Sequence, residues 1–356
     1  MSWYATKSVR SALLAFALVA TGLTTLASAQ KYSQTNLVSD VPGWAATVDP
    51  NLVNSWGMAF SATSPVWIAD NGTGLSTLYT GTGSIVPLVV TIPPPMGAEG
   101  PSAPTGLVFS GGGAFAVKAH DLSGNSVFIF DTEDGTIAGW SPTVDLHNAV
   151  IAVDNSASGA IYKGLAIGST EEGTFIYATN FNSGWVEMYD SNFKWVKNFT
   201  DWDVPQGYAP FGIQTISGKL YVTFALQDED KEDDVAGPAH GFVDVFDLNG
   251  NKIRRLISHG ELNSPWGLAL APSNFGKFSG DLLVGNFGNG HVNAYDINTG
   301  AARGHMLRPN GHTLEIDGLW GLAFGTGGAS GPANTLLFTA GPDDEAHGLF
   351  GTITTH

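Results

Sequence analysis

A glycine inside a short apolar run recurs six times, as Trp56-Gly57-Met58, Thr105-Gly106-Leu107, Lys163-Gly164-Leu165, Phe211-Gly212-Ile213, Trp266-Gly267-Leu268 and Trp320-Gly321-Leu322. Successive glycines lie 49, 58, 48, 55 and 54 positions apart. A period near fifty residues is the mark of a repeat architecture, in which each unit must stack on its neighbours to bury its apolar face. Few other folds tolerate that constraint.

Each glycine run is followed by a second strand-like run: VWIADN (66–71), AFAVKAH (114–120), FIYATNF (175–181), LYVTFAL (220–226), LLVGNFG (282–288) and LLFTAGP (336–342). A third run alternates apolar with polar residues and commonly closes on Asp, as in SVFIFD (126–131), WVEMYD (185–190), FVDVFD (242–247) and HVNAYD (291–296). Period-two alternation is strand patterning, and the DLNGN and DINTG segments behind two of these runs are hairpin chemistry. A fourth run, such as IVPLVVTI (85–92) or KIRRLIS (252–258), completes most modules. Six modules of four antiparallel strands predict an all-β, six-bladed β-propeller. The sixth module has strands near 320–325, 335–340 and 348–355 and lacks a fourth, while YSQTNLVS (32–39) is left over before the first module. The expectation is a ring closed by the N-terminal strand pairing with the C-terminal blade, which leaves no open edge.

Residues 1–29 carry Lys7 and Arg10 ahead of an apolar run ending in Ala27-Ser28-Ala29, the pattern of a cleavable signal peptide. That predicts residues 30–356 as a single propeller domain, secreted or periplasmic. Removing those two cations takes the net charge from −17 to −19. So acidic a chain excludes nucleic acid as a partner, and no later apolar run is long enough for membrane insertion. There is no cysteine, hence no disulfide and no thiolate site. No nucleotide, flavin or haem motif is present.

In the glycine motif the alternation places Trp56, Met58 and Phe60 on one face of the first strand, opposite Gly57 and Ala59. Trp266 and Trp320 repeat this, and all three tryptophans are read as packing between blades rather than as ligand-stacking groups. The candidate site lies just upstream. The connector into strand one and the loop after strand two share a face, which collects Asn54, Asn263 and Asp317 with Asp70, Asn71, His120, Asn180, Gln227, Asn286 and Asp343. Of these, Asn54, Asn263, Gln227 and Asp343 are the expected ligand-binding residues. Asn71, Asn180, Asn286 and Asp317, with Asp228 and Asp230 of the acidic segment QDEDKEDDVAGPAH (227–240), are the expected ligands of a hard cation such as Ca²⁺. His120, followed by Asp121, is the candidate general base. His240 and His347 sit ahead of third strands in blades that should hold them too far apart to share an ion.

The stretches DPNLVNSWGMAF (49–60), ADNGTGLSTLY (69–79), QDEDKEDDVAGPAHGFVDVFD (227–247), NSPWGLALAPSNFGKFSGDLLVGNFGNGHVNAYD (263–296) and TAGPDDEAHGLFGTI (339–353) resemble a family of secreted bacterial proteins grouped with exosortase-sorted (PEP-CTERM) proteins. The resemblance implies export and a propeller-like fold, but no catalytic residues. The chain ends at GTITTH, without the Pro-Glu-Pro sorting motif of sorted members. More distantly, the modules look like NHL-repeat and gluconolactonase-type propellers, some of which hold a divalent cation at the channel mouth and hydrolyse lactones or esters. The functional expectation is a propeller binding a small molecule, glycan or protein through its channel-mouth face, with a divalent cation. The alternative is a metal-dependent hydrolase of the lactonase or esterase type.

Overall fold

The computed structural model describes residues 1–3 and 30–356, so the predicted signal peptide lies almost wholly outside the described residues. Six antiparallel sheets stand around a central axis. Blade one is Ser55–Ala59, Val66–Asp70, Leu75–Tyr79 and Ile85–Thr91; blade three is Tyr162–Thr170, Gly173–Asn180, Trp185–Tyr189 and Trp195–Phe199. Blade four is Tyr208–Ile216, Lys219–Leu226, Phe242–Asp247 and Lys252–Ser258; blade five is Pro265–Leu270, Leu282–Asn286, Val292–Tyr295 and Ala302–His305. Blade six takes Leu319–Phe324, Leu336–Ala340 and Leu349–Thr355 from the C-terminal end of the chain and Tyr32–Ser39 from the N-terminal end. The closing pair runs antiparallel from Tyr32 opposite Thr355 to Ser39 opposite Leu349, as the leftover run at 32–39 predicted. A short strand, Thr47–Val48, lies parallel to it on the outer edge. Among the described residues no helix is long and apolar enough to cross a membrane.

Blade two departs from the sequence expectation. Its strands are Pro104–Phe109, Phe128–Thr132, Thr136–Trp140 and Val150–Asp154. The run at 114–120, expected as the second strand, instead contributes Ala116–Ala119 to a separate hairpin with Leu122–Asn125. SVFIFD, expected as the third strand, forms the second. The hairpin leaves from the far end of strand one, so it sits on the face opposite the channel mouth. The longest glycine spacing, 58 residues, falls at this insertion.

The core follows from the alternation. Six apolar clusters each fill the gap between adjacent blades, among them Trp67, Leu78, Phe128 and Trp140 between blades one and two. Each fully buried Leu, Ile, Val or Phe contributes about 1.5–3 kcal/mol. The motif glycines explain how closely the first strands approach. A Cβ on Gly212 would overlap the Trp266 carbonyl, one on Gly57 the Thr105 carbonyl, and one on Gly267 the Trp320 carbonyl. Each therefore faces the backbone of the next blade, where no side chain fits. Threonines stitch the same seam: the Thr105 hydroxyl donates to the Tyr162 carbonyl at 2.7 Å and the Thr179 hydroxyl to the Phe211 carbonyl at 2.6 Å.

Candidate functional site at the channel mouth

The six residues preceding the motif glycines are Trp56, Thr105, Lys163, Phe211, Trp266 and Trp320, brought to the axis by the first strands. Four of them pack into a seventh apolar cluster with Phe181 and Phe287. Trp56 and Trp320 stack with ring centroids 3.5 Å apart, Trp266 meets both edge-on at 5.9 and 5.7 Å, and Phe287 stacks on Trp320 at 4.0 Å. The tryptophans are indeed packing groups, but across the axis, where they plug the channel. Trp266 Nε1 donates to the Lys163 carbonyl at 2.8 Å and Trp320 Nε1 to Asn54 Oδ1 at 3.2 Å. Among the described residues, Trp56 Nε1 is buried with no acceptor.

Lys163 stands where four of the other five blades place an aromatic residue. Its side chain is 2% exposed, and its ammonium lies 5.3 Å from the Trp56 ring centroid. Burial alone would lower the Lys163 pKa; the ion pairs to Glu133 and Asp233 override this and hold it above the ordinary lysine value. From there a chain of contacts runs round the mouth. Glu133 accepts from Asn71 Nδ2 at 2.7 Å, Asn71 Oδ1 accepts from Asn54 Nδ2 at 3.1 Å, and Asn54 Nδ2 also donates to Glu345 at 2.5 Å. Glu345 is carried on an unusual turn in which Asp343, Asp344 and Glu345 all adopt positive φ, at 60°, 52° and 65°. Aspartate tolerates this region better than most residues, and a run of three turns the chain sharply enough to bring Glu345 over the plug. Burial pushes its carboxyl up to about 7, with Glu133 and Asp233 adding repulsion. Asp234 behaves alike: burial raises it to about 6, against the opposing pull of the Ser264 hydroxyl.

These groups enclose a cavity of about 380 Å³ floored by Trp56, Trp320 and Phe287 and walled by Lys163, Asp233, Asp234, Asp317, Asp344 and Glu345. Five of the six blades contribute to it. Its size lies within the range of small-molecule sites.

Other sequence-expected residues are distributed differently. Asn54 and Asn71 belong to the network just described, and Asp317 lines the cavity while accepting from the Asp343 amide at 2.9 Å. Asn263 Oδ1 accepts from the Gly237 amide at 2.7 Å, and Gln227 Nε2 donates to the Phe181 carbonyl at 2.6 Å, so both brace loops. Asn180 donates to Glu187 at 2.8 Å, inside a buried group with Tyr162 and Tyr189. Asn286 donates to the Glu261 carbonyl at 2.7 Å. Asp228 caps its own loop through the Glu232 amide, and Asp230 is exposed. The four channel-mouth side chains expected to hold one ion, and the two of the acidic segment, thus sit in separate surroundings. Among the described residues, no three His, Asp or Glu side chains gather in a metal-holding arrangement. His120 is exposed at the tip of the inserted hairpin, away from the mouth. Asn54 and Asn263, both drawn from connectors into first strands, stand at different places in those connectors. The left-handed position two before each tryptophan is filled by Asn54, Ser264 and Gly318, with φ of 47°, 47° and 61°, because Pro265 occupies the place that Ser55 takes in blade one.

Sequence reasoning missed Lys163, Glu133 and Glu345, and took Asp234 only as part of the acidic segment. A signal for Lys163 existed: it is the one charged residue among the six that precede the motif glycines. Glu133 was hidden by the misplacement of blade two's second strand.

The fold and its plugged axis define a six-bladed β-propeller with a polar cavity on one face. Solved propellers agree with the fold. An Escherichia coli soluble aldose sugar dehydrogenase superposes with a TM-score of 0.55 at 11% identity, covering 92% of this chain and 100% of that one. A streptogramin B lyase gives 0.53 at 12%, covering 92% and 98%, and a Staphylococcus aureus virginiamycin B lyase with quinupristin gives 0.52 at 12%, covering 91% and 99%. At such identities the likeness concerns fold alone. No protein-family model matches the chain. In sequence, it is 33% identical over 326 residues to Uncharacterized protein R648 of Acanthamoeba polyphaga mimivirus, covering 89% of this chain and 78% of the relative. Uncharacterized protein L690 of the same virus is 32% identical over 330 residues, covering 89% and 84%. The chain belongs to the family that these two proteins represent. The comparisons lend the exosortase association no support.

Proposed function

We propose that this protein is a binding propeller that takes a small molecule into the cavity at its channel mouth. One observation carries the reading: five of the six blades converge on a cavity of about 380 Å³ whose walls bring Lys163, Asp233, Asp234, Asp317, Asp344 and Glu345 together, a concave site of small-molecule size with convergent polar groups. The neighbouring tryptophan stack supplies a spectroscopic reporter. Screening a metabolite panel for shifts in melting temperature and tryptophan fluorescence tests the reading. Compounds that shift both in the native chain and neither in Trp56→Phe with Asp234→Asn support it; a panel that leaves both signals unmoved counts against it.

Two finer readings are part of the proposal. A divalent cation such as Ca²⁺, for which the described residues offer no cluster of three carboxylates, would have to complete its oxygen shell with water, and elemental composition of the purified protein measures whether one is held. Export is supported by the leader pattern in residues 1–29; N-terminal sequencing of the protein from its natural source should begin at Gln30, and an intact Met1 would remove this reading.

A further inference from the structure

The outer flank of blade three carries tryptophans that the core does not use. Trp195 is 60% exposed and Trp202 77% exposed, although burial of an indole is normally favourable. The strand register sets them along one track. Trp185, Glu187 and Tyr189 alternate onto the side of the third strand that faces blade two; Trp195 lies opposite Tyr189, and Asn198 opposite Glu187. Trp202 meets the Trp185 ring edge-on at 4.9 Å. Two aromatic platforms thus stand at the two ends of this strand, about 14 Å apart along it. Between them the surface is polar. Asn198 is exposed, and its Oδ1 accepts from Trp195 Nε1 at 2.6 Å, which fixes the indole and leaves Asn198 Nδ2 free among the described residues. Alongside, against the outer strand of blade two, runs a cleft of about 410 Å³ lined by Trp195, Asn155 and Ser158. Asn155 Nδ2 is spent on the Tyr162 and Tyr189 hydroxyls at 2.7 and 2.9 Å, while its Oδ1 has no partner among the described residues. Glu187 is the only charged residue on the track and in the cleft lining. It is buried and accepts from Tyr162, Tyr189 and Asn180, so it braces the floor.

Each part of this arrangement narrows the ligand. An open indole face attracts the C–H face of a pyranose ring, whose hydrogens carry partial positive charge toward the ring quadrupole. Amides and hydroxyls between the platforms match sugar hydroxyls, and an indole already held by its Nε1 bond loses little freedom on binding. With no accessible charge on the track and a net charge of −17 on the chain, an anionic polymer gains nothing here. A protein partner would favour a contiguous apolar patch with a dry centre, whereas these indoles are separated by amides. The separation also exceeds the span of one sugar ring. We infer that the flank of blade three binds a neutral polysaccharide chain, with one sugar on Trp195, another on the Trp185–Trp202 pair and intervening hydroxyls on Asn198, Asn155 and Ser158. This site is independent of the mouth cavity.

Titration calorimetry and tryptophan fluorescence with cellohexaose, laminarihexaose, mannohexaose, maltohexaose and glucose test this. At least one hexasaccharide is expected to bind, with glucose at least about tenfold weaker, a difference of about 1.4 kcal/mol. Trp195→Ala and Trp202→Ala should each weaken the hexasaccharide about tenfold, with the melting temperature unchanged because both indoles are exposed. Trp44→Ala, which removes an exposed indole elsewhere, should leave binding as it was. Asp344→Asn with Glu345→Gln should leave it unchanged too, so that failure of this site and failure of the mouth cavity are read apart. If none of the hexasaccharides binds at millimolar concentration, the inference is overturned. Binding that survives Trp195→Ala combined with Trp202→Ala also overturns it. A chain that binds no hexasaccharide but dimerises, and that the same two changes render monomeric, overturns it in favour of a protein interface.

Discussion

The two ends of the central channel are built from the same six first strands and differ in almost every physical respect. At the mouth, strand starts deliver an aromatic plug and loops deliver the carboxylates. At the far end, beyond the plug, the same strands finish in Met58, Phe60, Phe109, Leu270 and Phe324, which line a recess of about 520 Å³ whose side chains are mostly apolar. Few charged or hydrogen-bonding side chains reach that recess; Gln214 and Thr215 are among them. The difference teaches where specificity comes from in a propeller. Strands repeat and give both ends a ring of similar side chains, whereas loops vary and arm one end only.

The sharpest way to break the contrast is Lys163→Met, which leaves the Glu133 and Asp233 charges at the mouth without their cation. Because Glu133 retains some solvent contact, we expect the low end of the range for a broken buried pair, about 3 kcal/mol by denaturant unfolding. The added change Glu133→Gln should recover much of it. Gly212→Ala strikes both ends alike, since a methyl there overlaps the Trp266 backbone; a loss of about 1–3 kcal/mol is expected. An acid titration separates the ends next. Asp131, Asp234 and Glu345 are raised by burial to about 7, 6 and 7. Native carboxyls of this kind keep protons that the unfolded chain has already released. Stability should therefore fall as pH rises from about 4.5 to 7, seen as a declining melting temperature. Asp234→Asn with Glu345→Gln should flatten that slope, and no far-end substitution should. The smallest effect belongs to the far rim: Leu270→Ser, half-buried, should cost about 1 kcal/mol and leave ligand binding at the mouth untouched.

Much of the ring was legible in the chain because close approach writes a glycine into every first strand and closure demands a spare strand, here 32–39. Blade two was misread because the inserted hairpin is itself strand-like: Phe115 and Val117 are buried, and nothing local distinguishes AFAVKAH from a blade strand. The site was harder to read for a different reason. Asn54, Asn71 and Asp317 were found because they recur beside the repeat. Lys163 and Glu345 do their work by breaking the repeat, one by replacing an aromatic residue and one by riding a left-handed turn. A search for sameness passes over such residues.

The pairing of Tyr32–Ser39 with Leu349–Thr355 also governs time. Five blades can assemble from contiguous chain, but the last hydrogen bonds join residues more than three hundred positions apart. Non-local contacts of this kind slow folding and prolong exposure of unpaired edges. Ring closure is therefore the expected slow step, and because the Trp56–Trp320 stack also spans the closing seam, the mouth acquires its floor only when that step is complete.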